Sequence, residues 1–265
     1  MAAPVFRLPE FTIHDRLTVA EAELRPWSID PLGIRKLGAI RGKGVKVAVI
    51  DTGVDAKHLT DGDLDRCVKD CKDHTGSRHG HFDQHGHGTH TAGTVAGRET
   101  DFGGVGLAPY AELYIHKALG DDGTGSDRSV SSAIRSAIDQ RVHIINMSLG
   151  SPSKSPAIIA AVDEATAAGI VVVCAAGNFG DNARSWPAMH EATVSVAATD
   201  VDKRAASFSE PSSVDVAAPG VKILSCYRNG GYGLLSGTSM AAPWFTGFLG
   251  IIFGDLLARG HKLLQ

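Results

Sequence analysis

Apolar positions along this chain follow two rhythms that take turns. Residues 45–50 (Val-Lys-Val-Ala-Val-Ile) form a short, β-branched, nearly continuous apolar run, the pattern of a strand buried on both faces of a parallel sheet. Similar runs occupy 113–119, 143–149, 170–175, 193–198 and 214–217. Between them stand segments with helical spacing. Val130, Ala133, Ile134, Ala137 and Ile138 share one helix face, with Ser126 placed as the N-cap. Ile158, Ala161, Val162 and Ala165 form a second stripe behind Ser155-Pro156, a cap followed by proline at the first helical position, and Gly169 closes that helix. Helices alternating with buried strands predict an α/β fold: a three-layer, doubly wound sandwich around a mostly parallel central sheet.

This arrangement gives certain polar residues special places. Asp51 stands at the carboxyl end of the 45–50 strand, and in open α/β sheets that end faces the ligand crevice. Ser239 precedes a helix-compatible run, so its hydroxyl is expected at a helix N-terminus, where the dipole favours developing negative charge. Pro243 is expected early enough in that helix to cost no hydrogen bond. Segment 74–90 holds six of the twelve histidines. Three cassettes stand out: Val49-Ile50-Asp51-Thr52-Gly53, His87-Gly88-Thr89-His90-Thr91-Ala92-Gly93 and Gly237-Thr238-Ser239-Met240-Ala241-Ala242-Pro243. They supply a carboxylate to orient an imidazole, an imidazole to take a proton, and a hydroxyl to become a nucleophile. Asp55, four residues after Asp51, is expected to be a solvated loop carboxylate, His90 a packed second histidine, and His74, His79, His81 and His85 loop residues, with His85 lining the cleft.

Three glycine-flanked cassettes in the order Asp, His, Ser resemble a subtilisin-like serine protease. The resemblance runs from about Arg41 to Ala258 and is strongest toward the intracellular subtilisins at 172–178 and 237–243. It implies a serine endopeptidase acting on polypeptides, with His87 as base, Ser239 as nucleophile and Asp51 orienting His87. It also implies an oxyanion hole built from the Asn178 side-chain amide and the Ser239 N–H. Substrate is expected to lie as an extended strand between Gly123-Thr124-Gly125 and Ser148-Leu149-Gly150, beside Ala176, Gly177 and Phe179. Phe179 favours an apolar or aromatic side chain before the scissile bond. Trp186-Pro187 resembles a family turn with a cis bond, expected to shape the pocket floor.

The chemistry so implied needs no cofactor. Relatives bind structural calcium in a loop that reads 98–104 here, where Glu99 and Asp101 are hard oxygen donors, and Asp200 matches a second family site. Residues 1–40 read as an N-terminal extension joining the catalytic core, 41–265, near Gly42-Lys43-Gly44. Within it, Arg7-Leu8-Pro9-Glu10-Phe11 resembles the short segment with which intracellular relatives cover their own active site. Trp244-Phe245 departs from the small or His-Val pair usual after the serine cassette, and the C-terminus is shorter than the family's usual ending.

Bulk properties add little to this and remove several alternatives. The 265 residues suffice for one large core, and a net charge of -3 with interspersed signs argues against a nucleic-acid or membrane surface. The N-terminus lacks the basic start and apolar core of a secretory signal. The apolar stretch 244–257 is expected to be broken by Gly247, Gly250, Gly254 and Asp255, too short to span a bilayer. Cys67 and Cys71 would stand about 13 Å apart in an extended segment, too far for a disulfide. All four cysteines are therefore expected to be free thiols, in keeping with a cytoplasmic location. Two rival readings remain: a zinc hydrolase using His85-x-His87-x-x-His90 with Cys67 and Cys71, or a pseudoprotease that binds peptides without cutting them. The first leaves Ser239 and Asn178 without a role, and against the second every catalytic group is present.

Overall fold

The computed structural model describes residues 4–17, 27–29, 41–98, 106–178, 180, 185–209 and 213–263. Along the chain its strands are β1 (Val5–Arg7), β2 (Thr12–Leu17), β3 (Lys46–Asp51), β4 (Val68–Asp73), β5 (Glu112–Lys117), β6 (Thr124–Ser126), β7 (Ile144–Met147), β8 (Val171–Ala175), β9 (Val194–Thr199), β10 (Val216–Pro219), β11 (Ile223–Cys226) and β12 (Tyr232–Ser236). The helices are α1 (Ala56–Thr60), α2 (His87–Ala96), α3 (Asp127–Asp139), α4 (Pro156–Ala167) and α5 (Thr238–Ala258). The predicted strands and the helices behind Ser126 and Ser155 are all present, shifted by at most two residues at their ends.

Seven parallel strands make the central sheet in the order β10-β9-β8-β7-β3-β5-β4. Alternation along each strand sorts side chains between two cores. Val47 and Val49 of β3 face one, with Ala92, Val95, Ala241 and Ala242 of α2 and α5; Ala48 and Ile50 face the other, with Ile134 and Val162 of α3 and α4. The apolar run of β3 is thus explained by burial on both faces, and the three layers follow from it. The chain leaves β3 toward β4 and β5 on one side and later returns to β7 on the other. Asp51 therefore stands beside the point where strand order reverses, where α/β sheets open a crevice.

Caps behave as the sequence predicts: Ser126 Oγ accepts the Ser129 N–H and Ser155 Oγ that of Ile158. The bond between Trp186 and Pro187 is cis. All four cysteines are free.

Two expectations for the last helix fail. Gly247, Gly250 and Gly254 do not break it; α5 is continuous for 21 residues, long and apolar enough by length and composition to cross a bilayer. Here it is a core helix over β7 to β10. Its glycines serve close packing, since a Cβ on Gly247 would lie 2.8 Å from Leu107 Cβ. Pro243 sits in the second helical turn rather than the first, so its missing N–H does cost a bond, the one Ser239 O would have received. Ser148 Oγ donates to that carbonyl instead, at 3.0 Å. Trp244 packs into the core beside Ile251, stacked on Phe248.

Candidate active site

Glycines bring the first two cassettes together. Gly53 has φ 105°, and a Cβ there would stand 2.2 Å from His81 O; a Cβ on Gly88 would stand 2.4 Å from Gly53 O. With both small, the end of β3 abuts the start of α2. His87 Nδ1 then lies 2.8 and 3.0 Å from the two Asp51 carboxylate oxygens. Both side chains are buried. An Nδ1 facing a carboxylate carries the proton, so Nε2 keeps its lone pair, and Nε2 has no hydrogen-bond partner among the described residues. Thr52 N–H donates to Asp51 Oδ1 at 2.7 Å, fixing the carboxylate.

Asp83 organises this junction and escaped the sequence analysis. Its Oδ1 accepts from Thr52 Oγ1, His85 N–H and Gly86 N–H, and its Oδ2 from Thr89 N–H and Oγ1, at 2.6–2.9 Å. It ties the residue after Asp51 to the first turn of α2. The signal available in the sequence was an acidic residue just ahead of a helix start that lacks a capping side chain, since the N-cap is Gly86. Lys117, fully buried, was missed as well: its Nζ donates to Thr52 O at 2.7 Å and pairs with Asp121 Oδ1 at 3.0 Å.

Ser239 is the second residue of α5, as its cassette predicts. Its Oγ donates to Ser148 O at 3.3 Å. Asn178 Oδ1 accepts from Thr238 N–H and Thr238 Oγ1 at 2.9 and 2.8 Å, which turns Nδ2 toward the cleft. There Nδ2 donates to the Glu10 carbonyl. Gly177 N–H, held by Thr238 Oγ1 at 3.1 Å, completes the junction between the end of β8 and the start of α5.

The two expected substrate edges flank a peptide that belongs to this same chain. β1 pairs antiparallel with β6, Phe6 opposite Gly125 and Arg7 opposite Thr124. On the other side Arg7 N–H donates to Gly150 O and Gly150 N–H to Arg7 O, at 3.0 and 2.9 Å. Leu8 N–H donates to Gly123 O. Since Arg7 and Gly150 exchange both bonds, the next such pair along the ladder is Pro9 with Ser148. Proline has no N–H to give, and Ser148 O takes the Ser239 hydroxyl instead. Phe6 is fully buried beside Leu119 and Ile134, and Phe11 packs on the His87 ring. Leu149 and Ala176 are buried, and Ser185 Oγ would meet a Cβ on Gly150 at 2.3 Å. Phe179, Glu99 and Asp101 lie outside the described residues.

Other assignments change. Asp55 is not solvated: it caps α1 and also accepts the Asn229 and Gly230 N–H groups, because α1 packs against the β11–β12 hairpin. His74 and His79 are anchors rather than free loop residues, His74 Nε2 lying 3.0 Å from His116 Nδ1 and His79 Nδ1 2.6 Å from Asp121 Oδ2. His85 does line the cleft, with Leu8 to Phe11 and Gly123; burial, and next the neighbouring His87, lowers its pKa. His90 is a packed histidine, its Nε2 near Ile223 O and Gly233 O, and burial drives its pKa down to about 3. With His87 on Asp51 and His90 on two carbonyls, the His-x-His-x-x-His spacing assembles no metal cluster among the described residues. Asp200 Oδ1 is taken by the Asp202 and Arg204 N–H groups, and Asp200 joins no group of three ion-binding side chains among the described residues.

Comparison with known proteins agrees with this geometry. Residues 42–256 match the profile of the Subtilase family. The chain is 43% identical over 222 residues to the intracellular serine protease of Paenibacillus polymyxa, covering 80% of this chain and 67% of that protein. It is 41% identical over 224 residues to the major intracellular serine protease of Bacillus subtilis, covering 80% and 69%. To subtilisin BL of Lederbergia lenta it is 39% identical over 230 residues, covering 84% and 83%.

Proposed function

Because the chain belongs to the subtilase family and is a serine endopeptidase, we propose that it cleaves peptide bonds through an acyl-enzyme on Ser239. His87 Nε2 takes the Ser239 proton as Oγ attacks the substrate carbonyl carbon. Asp51 accepts the Nδ1–H throughout, holding the tautomer and stabilising the imidazolium. The oxyanion is met by Asn178 Nδ2 and the Ser239 N–H. His87 then protonates the leaving amine, and water repeats the attack on the ester, returning the proton to His87 and the hydroxyl to Ser239. The observation that carries this reading is the pairing of His87 Nδ1 with Asp51, which leaves an unprotonated, unpartnered Nε2 in the crevice that holds Ser239. Labelling by a fluorophosphonate probe tests it: labelling and peptide turnover both vanish in Ser239→Ala and survive a zinc chelator. Turnover retained in Ser239→Ala sinks the assignment.

Substrates lie as a third strand between Gly123–Gly125 and Gly150, the edges that β1 and Leu8 now use, and those with an apolar side chain before the scissile bond are preferred. The fully buried Phe6 of the segment that occupies those edges supports this. Cleavage-site profiling on a peptide library reads the preference directly. The chemistry runs on these side chains without a cofactor; Asp200 joins no cluster of three acidic, histidine or cysteine side chains among the described residues, so a structural calcium there would draw on backbone carbonyls and water.

Residues 4–11 act as a built-in inhibitor. They satisfy both substrate edges and place the Glu10 carbonyl on Asn178, while the Ser239 hydroxyl donates to Ser148 O. Pro9 is the device, because its missing N–H leaves Ser148 O open to Ser239. The protein works in the cytoplasm, a reading supported by four free thiols and by relatives named as intracellular proteases.

A further inference from the structure

Two turns along α2 from His87, behind the catalytic wall, the end of α1 and the β11–β12 hairpin enclose His58, Asp63 and Cys226. They are 1%, 2% and 0% exposed. One ring nitrogen of His58, one carboxylate oxygen of Asp63 and Cys226 Sγ all lie within 4.8 Å of one another. Cys226 Sγ stands 3.7 Å from Asp63 Oδ2. Sulfur and oxygen ligands at about 2.3 and 2.0 Å from a tetrahedral ion have nearly that separation.

Within the cluster it is His58 that keeps an open ligand atom. His58 Nε2 lies 2.9 Å from Gly231 O, so Nε2 carries the proton. Nδ1 is left with its lone pair, buried and without a partner among the described residues. A buried polar atom with no bond is costly, and the cost is removed if Nδ1 takes a ligand. Tyr232 Oη donates to Asp63 Oδ2 at 3.1 Å. A carbonyl on the far nitrogen of an imidazole and a hydroxyl on a carboxylate are the outer contacts that orient metal ligands.

We propose that His58 Nδ1, Asp63 and Cys226 Sγ form a binding site for a borderline-soft divalent metal ion of the zinc class. Nitrogen and sulfur donors select such an ion over calcium. On binding, the Cys226 S–H bond breaks, a sulfur–metal bond forms and the proton leaves to solvent. Thiolate and carboxylate together neutralise the dication, and solvent fills the fourth position. The ion ties the end of α1 to β11. β11 lies directly against α2, since a Cβ on Gly93 would stand 2.8 Å from Cys226 Sγ. The site is structural: it braces the helix that carries His87 and touches none of the reacting groups.

Cobalt(II) serves as the probe. The full chain, stripped with chelator, is titrated with Co²⁺ while absorbance, proton release and melting temperature are recorded, and zinc is then added in competition. Expected are one ion per chain, a near-ultraviolet thiolate-to-cobalt band, one proton released per ion and a rise in melting temperature, with zinc abolishing the band. Cys226→Ser loses the band and binds at least about tenfold more weakly, while Cys71→Ser keeps both. If Cys226→Ser does not fold, His58→Gln, which keeps the thiol, is expected to show the same weakening. No saturable thiolate band in the unmodified chain overturns the site, as does a band that persists at full strength in Cys226→Ser.

Discussion

The ring of Phe11 lies on the ring of His87, their centroids 5.0 Å apart. The imidazole assigned as general base is therefore capped by an aromatic side chain of its own N-terminal segment, while its Nε2 has no partner and the Ser239 hydroxyl is turned to Ser148. The segment proposed as inhibitor thus lies against the residue proposed as base.

Deletion of residues 1–11 is expected to raise the initial rate on a short chromogenic peptide and to remove any lag. β2 is retained in this variant, so its pairing with β12 is undisturbed. Equal lag and equal rate in the two chains refute inhibition by this segment. Pro9→Ala restores a donor to Ser148 O and is expected to shorten the lag by speeding cleavage of the segment, read by mass spectrometry of the N-terminus.

Asn178→Ala removes the side-chain donor aimed into the cleft. The expected loss is about 10²- to 10³-fold in kcat with little change in KM, the size known for this substitution in a related subtilisin. The Asn178 amide also receives two bonds from Thr238, so a melting curve accompanies the kinetics. A fall in KM-dependent binding alone, with kcat intact, contradicts the role.

Ser148→Ala leaves the Ser239 carbonyl without a donor, because Pro243 supplies none. A buried acceptor so orphaned costs about 1–3 kcal/mol, read by denaturant unfolding. Adding Pro243→Ala returns an intrahelical N–H to that carbonyl, and the double variant is expected to recover part of the loss. Strict additivity of the two substitutions excludes the link.

Stability is expected to fall in acid through buried neutral histidines. Burial lowers His90 to about 3 and, with the nearby His74 as the next cause, His116 to about 4, from an ordinary 6.5. Between 6.5 and these values the unfolded chain binds protons that the folded chain refuses. Stability is thus full above pH 6.5 and lost as pH drops toward 4. Melting temperature across pH 4–7 checks this: His90→Gln starts lower but declines less steeply, and an unchanged slope rules out His90 as a source.

Much of this was readable before any coordinates. β3, β5 and β7 to β10 announce themselves because buried parallel strands are largely apolar, and α3 and α4 because caps and one-sided stripes are local signals, whereas the polar β4 (Val-Lys-Asp-Cys-Lys-Asp) gave no such pattern. The candidate residues Asp51, His87, Ser239 and Asn178 could be picked out because glycine-flanked cassettes are contiguous in sequence. Asp55, Asp83 and Lys117 were not. Their partners lie on other elements, and nothing local distinguishes a carboxylate that caps a neighbouring hairpin from one in water. Pro243 was misplaced for a smaller reason, a helix start set two residues too late, and α5 because its glycines were read as breaks when they are contact points.

By itself, then, the sequence determined the layered α/β fold, the residues proposed as nucleophile, base and orienting acid, and the freedom of the thiols, since each rests on periodicity or on residues a few positions apart. Only the tertiary structure decided how those parts stand toward one another: that Arg7 to Phe11 fill the groove, that Ser239 faces Ser148 while His87 Nε2 waits, and that His58, Asp63 and Cys226 share one buried space. These are contacts between segments far apart in the chain. They are set by which faces the sheet and helices bury together, and a linear pattern carries no record of them.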